Sequence, residues 1–126
     1  MHGIARAFFI SALVYGFLGL LLGIYMAIGQ DRTQLPTHAH IMVIGWLSFA
    51  VFGLFYHFFQ QSVPQLLAGL HFWVAEVSLV IIVAGLWMIF SGRTEFEPLA
   101  AVGALGYAGS FAIFAVGAFL ALRAPS

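Results

Sequence analysis

Four apolar stretches, residues 6–29, 37–60, 66–90 and 99–122, take up most of this 126-residue chain. Each exceeds the ~20 residues that a helix rising ~1.5 Å per residue needs to cross a hydrocarbon core. Charge and proline collect in the breaks between them, GQDRTQLP, QQSVP and SGRTEFEP. A backbone in lipid has to satisfy its own N–H and C=O groups, so stretches of this kind are predicted to be helices. The expected fold is all-α, a four-helix transmembrane bundle forming a single domain over residues 1–126.

Composition removes the competing classes. Four basic and four acidic side chains cannot clothe a soluble domain of this size, whereas membrane lipid asks for no such surface. Without cysteine there is no disulfide, thiolate zinc site, iron–sulfur cluster or thiolate-ligated haem. A formal net charge of zero and the lack of a basic run argue against nucleic acid as a partner. No nucleophile–base pair, phosphate loop or carboxylate dyad supports hydrolase or kinase chemistry. The first stretch outruns the ~7–15-residue core of a signal peptide and meets no small-x-small site before a polar domain, so it is read as a span.

Orientation rests on few charges. Arg6 and Arg123 flank one side without acids, while Arg32 and Arg93 share the other with Asp31, Glu95 and Glu97. Acids count for little in the positive-inside rule. The α-amino group tips the reading towards a multi-pass membrane protein with both termini cytoplasmic.

The segment PTHAHIMVIGWLSFAVFGLFYHFFQQS concentrates the chemistry, because it carries His38, His40 and His57. Imidazoles are the commonest protein ligands of metals and a principal axial ligand of haem iron. An ionisable group inside a span is costly enough to be treated as functional. At ~100° per residue, His38 and His40 point ~200° apart. His38 then shares a face with Met42, Gly45, Phe49 and Tyr56, where Gly45 offers a bare strip for a flat macrocycle. His40 lies over Ile44, Leu47, Val51 and Leu54, and His57 takes a third face with Trp46, Ala50 and Gly53. Against ligation stands the reading that each is an interfacial imidazole bonded to water or headgroups.

His71 falls about one and a half turns into the third stretch, at nearly the depth of His57, so a His57–His71 pairing is open by metal, by haem or by hydrogen bond. Glu76 lies deeper, near mid-bilayer, either as a proton carrier or as a buried acid bonded to Ser78 or a tyrosine. Gly19 and Gly23 form a GxxxG pair in the first stretch, and the fourth is rich in small residues, which suits helix packing or an oligomer surface.

At HAHIMVIGW the chain resembles the catalytic subunit of the haem–copper oxidase superfamily, especially cbb-type oxidases and bacterial nitric oxide reductases. There the second helix begins H-T-N, has a glycine seven residues after the histidine, and ends Y-Y-x-x-Q or Y-Y-x-x-P. Here the ungapped frame reads His38-Ala39-His40, Gly45, then Tyr56-His57-Phe58-Phe59-Gln60. LVYGFLGLLLGIYMA and HFWVAEVSLVIIVAG are similar to that family's first and third helices. The chain also resembles short four-helix, subunit I-like bacterial membrane proteins carrying HxH, YH and HFW.

The resemblance implies a low-spin haem b near the outer surface with His38 as an axial ligand. It also marks departures: His40 replaces an asparagine, His57 replaces a tyrosine, and the later helices with the remaining haem and copper ligands are missing from this sequence. Oxygen reduction at a haem–copper centre is therefore not expected of this subunit alone. A second axial ligand would come from another copy, with His38 or His40 of two protomers meeting in a homo-oligomer. The expectation is haem b-dependent electron transfer, fed by a quinol or a cytochrome, or binding of a diatomic gas. The alternatives are a copper or zinc site built from His38/His40 or His57/His71, and a non-catalytic accessory membrane protein.

Overall fold

The computed structural model describes residues 1–125. It is all-helical, with no strand among the described residues. Four helices are long and apolar enough to cross a membrane: α1 (Gly3–Gly29), α2 (Leu35–Ser62), α3 (Gln65–Phe90) and α4 (Glu97–Arg123, led in by a 3₁₀ turn at Thr94–Phe96). The expected spans are all present, each longer than its apolar core because polar or small residues at the ends continue the same hydrogen-bonding ladder. α1 closes on Gln30, whose left-handed φ of 51° brings the N–H groups of Gln30 and Asp31 back to Ala27 and Met26. Pro36 and Pro98 sit in the first turns of α2 and α4, where a missing N–H costs nothing.

The helices pack as two tight antiparallel pairs. In the first, Gly16, Gly19 and Gly23 of α1 face Trp46, Met42 and His38 of α2. A Cβ on Gly16 would sit 3.3 Å from the Trp46 ring, one on Gly23 would sit 3.0 Å from His38 Cε1, and one on Gly19 would overlap Met42 Sδ. In the second pair the backbones themselves touch. A Cβ on Gly85 would lie 2.8 Å from the Ala100 nitrogen, and one on Gly103 would lie 2.8 Å from the Ile82 nitrogen. Small residues are what allow such approach between membrane helices. Most of the glycines expected to serve self-association are thus consumed inside the chain, so they no longer argue for an oligomer.

Between the two pairs lies an aromatic core. Phe8 stacks on Tyr56 at 5.5 Å and meets Phe49, Phe52 and Phe72 edge-on at 5.0–5.5 Å, the offset and T-shaped geometries that ring quadrupoles favour.

α2 is not a uniform α-helix. Ile41–Leu47 forms a π segment, with the Ser48 N–H reaching back five residues to the Val43 carbonyl. The wider turn frees carbonyls, and side chains satisfy them: Ser48 Oγ donates to Val43 O at 2.8 Å and Tyr107 Oη donates to Ile44 O at 2.7 Å. The π turn also changes which residues share a face. Thr37, Ile41, Gly45 and Phe49, each four apart, run down the buried side. His38, Met42 and Trp46 run down the groove beside α1.

Constant 100° steps placed Gly45 beside His38 as a bare strip, and that expectation is corrected. A Cβ on Gly45 would fall 2.9 Å from Tyr15 Cβ, so the strip is already filled by Tyr15.

Candidate functional site

The four candidate histidines occupy different settings. His38 lies in the first turns of α2, half-buried, with its Nδ1 2.8 Å from the Gly19 carbonyl of α1. A carbonyl only accepts, so Nδ1 carries the proton and Nε2 keeps its lone pair. His40 has the same tautomer for the same reason, through the Pro36 carbonyl at 2.8 Å, but its side chain is exposed. His38 borders a recess of about 260 Å³ with Gly23, Met26, Ala27, Arg32 and Leu35. Further along the same helix pair, Gly16, Phe17, Met42 and Trp46 border an apolar recess of about 400 Å³. His40 borders a third, of about 500 Å³, between α2, α3 and the alanine-rich start of α4.

The start of α2 is pinned to the end of α3. Gln34 is buried, and its Nε2 donates to the Trp87 carbonyl at 3.1 Å and to Ser91 Oγ at 3.0 Å. Thr37 Oγ1 donates to Gln34 Oε1 at 2.7 Å. This network fixes the turn that carries His38. That carbonyl, in the last turn of α3, also accepts from the Ser91 N–H at 3.0 Å and from Ser91 Oγ at 2.6 Å, so the amide joins a cluster of donors at the helix end.

His71 and His57 are not brought together. His57 is exposed and packs its ring on Phe58, while His71 is wholly buried. Tyr56 Oη lies 2.9 Å from His71 Nδ1. With the hydroxyl donating, Nε2 carries the ring proton. Nε2 has no polar partner among the described residues, and it is boxed by Phe8, Phe52 and Phe114, whose centroids lie 4.5–5.1 Å from the imidazole. Aromatic faces are weak acceptors for such an N–H. His71 thus has the surroundings of a core histidine, and His57 those of a surface one.

Glu76 finds a tyrosine partner and not Ser78. Tyr15 Oη donates to Glu76 Oε1, and Oε2 is buried without a partner among the described residues. Ser78 instead packs against Gly106 of α4. Glu76 stands 11 residues into the 26-residue α3, about 16 Å along a helix about 39 Å long. The pair therefore ties α1 to α3 at mid-depth. A double-mutant cycle with Tyr15→Phe and Glu76→Leu is expected to return a coupling free energy of about 1 kcal/mol, in the range of hydrogen bonds between membrane helices. Unfolding in mixed detergent micelles reads it, and additivity of the two changes would mean that the pair contributes nothing.

Among the described residues no three His, Asp or Glu side chains gather as a metal-binding group. Neither the π segment nor the Gln34 network was visible beforehand, and a polar Gln–Leu–Pro–Thr run beside an apolar span was the one available hint of the latter. Comparison with protein-family models, curated proteins and solved structures gives no match to this chain. The haem–copper likeness therefore rests on the motif residues alone.

Proposed function

We propose that the chain is a haem b-binding membrane protein, acting in electron transfer or in binding a diatomic gas, with His38 as the axial ligand. The observation that carries this reading is the His38 Nδ1–Gly19 carbonyl bond. Haem- and metal-ligating histidines are typically held through their other ring nitrogen in this way, which fixes both tautomer and ring plane.

The surroundings fit the group in two respects. Gly23 lets the His38 ring lie close on α1, where a Cβ would press on it, and Gly23 and Ala27 border the recess of about 260 Å³ beside the imidazole. The donor set also fits, because a porphyrin supplies four ligands and asks the protein for one or two. A closed copper or zinc site asks for three or four, and no such cluster is present among the described residues.

When bound, the haem supplies a one-electron couple or an open iron position. The protein's own part is to hold the imidazole in one tautomer and to aim it, through the Gly19 carbonyl. His38 is the one histidine that borders this recess among the described residues, so a second copy of the chain is the natural source of a sixth ligand. In this reading both termini lie in the cytoplasm of a bacterium, His38 lies near the outer surface, and a quinol or cytochrome is the electron donor.

The test is the visible spectrum of detergent-purified protein from haem-replete cells, oxidised and dithionite-reduced, with and without carbon monoxide. A low-spin spectrum indifferent to carbon monoxide indicates two axial ligands and electron transfer. A shift with carbon monoxide indicates an open position and gas binding, and a featureless spectrum refutes the proposal.

A further inference from the structure

We infer that Arg32 anchors a carboxylate of the porphyrin held by His38, an assignment that rests on the haem reading above. Haem b is an apolar disc with two propionate carboxylates on one edge. In an apolar groove, that edge has to face the polar end and meet a cation there, because an unpaired carboxylate is costly to desolvate.

The His38 recess has such an end. Gly23, Met26, Ala27 and Leu35 form its apolar part, and Arg32, on the short connection between α1 and α2, is its one cationic side chain. Guanidinium presents a planar fork that matches a carboxylate with two parallel hydrogen bonds.

The neighbouring groups leave this role to Arg32. Asp31 is turned into its own loop, accepting from the Thr33 backbone N–H at 3.0 Å and from Thr33 Oγ1 at 2.9 Å. Those bonds hold its carboxyl below the usual range, so it stays ionised against Thr33. The other arginine at this end, Arg93, lies on the connection between α3 and α4. Its guanidinium sits 5.8 Å from the centre of the Phe96 ring and close to Met88 Sδ, away from the residues that border the His38 recess.

The experiment titrates haem-free protein in neutral detergent with haem b and with its dimethyl ester, which keeps the iron and the disc but lacks the carboxylate charge. Wild type is expected to bind haem b at least about tenfold more tightly than the ester, the scale of one charge-assisted pair. Arg32→Gln should lose that preference and bind haem b as weakly as the ester, with an unchanged absorption band shape because His38 still ligates. Arg93→Gln removes the same charge from the same end and should behave as wild type. Equal binding of both ligands by wild type, or a preference that survives Arg32→Gln, overturns the assignment and leaves the haem reading standing. Failure of wild type to bind either ligand overturns the haem reading, and the assignment with it.

Discussion

His38→Ala protein purified from haem-replete cells is expected to retain less than about one-hundredth of the wild-type haem affinity. The size follows from what is lost. Removing a partner that merely orients a ligand already costs about 10–100-fold in metal affinity, and here the ligand itself goes. The fold should persist, because His38 packs over Gly23 at the rim of the α1–α2 pair and not in the aromatic core. Its helical circular dichroism and gel-filtration profile should therefore match wild type.

Added imidazole should restore part of the absorbance, since alanine leaves a hole of the right shape beside Gly23 and Ala27. His57→Ala should change nothing, because that ring is exposed at the other end of α2. His40→Ala is the informative companion. If it abolishes the spectrum while His38→Ala leaves it intact, the haem lies in the alanine-lined recess beside His40, and the axial assignment moves by two residues.

The four spans were legible because lipid leaves the backbone one economical solution, so length and hydropathy suffice to place 6–29, 37–60, 66–90 and 99–122 within a few residues of the observed helices. The face of α2 was less legible. Counting at a fixed angle presumes an α-helix throughout, and nothing in IMVIGWL announces a π turn, which has no proline or charge to mark it. The partners that stabilise it, Ser48 and Tyr107, are a local residue and one 63 positions distant from Ile44.

One consequence is that His38, Met42 and Trp46 form a single row against Gly23, Gly19 and Gly16. Step counting had sent Trp46 to the His57 side. A His57–His71 pairing was left open by the sequence, and the structure gives His71 the neighbouring Tyr56, because the ~100° between successive helical residues turns Tyr56 inwards and leaves His57 exposed. Glu76 was expected to meet either Ser78 or a tyrosine, and only the packing of α1 on α3 selects Tyr15.

The other large effect concerns what holds the second helix pair, α3 and α4, together. Gly103→Ala and Gly109→Ala are the same substitution, six residues apart on α4, and they are expected to differ in sign. At Gly103 the new methyl would meet the Ile82 backbone nitrogen and Cγ1 at 2.8 Å and Ile81 Cγ2 at 3.0 Å. A side-chain tip can rotate away, but a helix backbone cannot, so α3 and α4 have to separate along their length. Their separation also breaks the reciprocal contact of Gly85 with Ala100. Overpacking of this kind costs about 1–3 kcal/mol where neighbours can shift, so the upper end or beyond, about 3 kcal/mol, is expected where they cannot.

At Gly109 nothing comes within 4 Å of the added methyl among the described residues. Only the backbone term is left, and it favours alanine in a helix by about 0.5–1 kcal/mol. Unfolding by sodium dodecyl sulfate in mixed micelles, followed by circular dichroism, measures both. Midpoints at or above wild type for both variants would mean that α3 and α4 do not approach backbone to backbone. A loss at Gly109 as large as that at Gly103 would show that this open side of α4 is covered by another chain in the micelle. That result would return to helix α4 the role in self-association that the glycines facing α3 have lost.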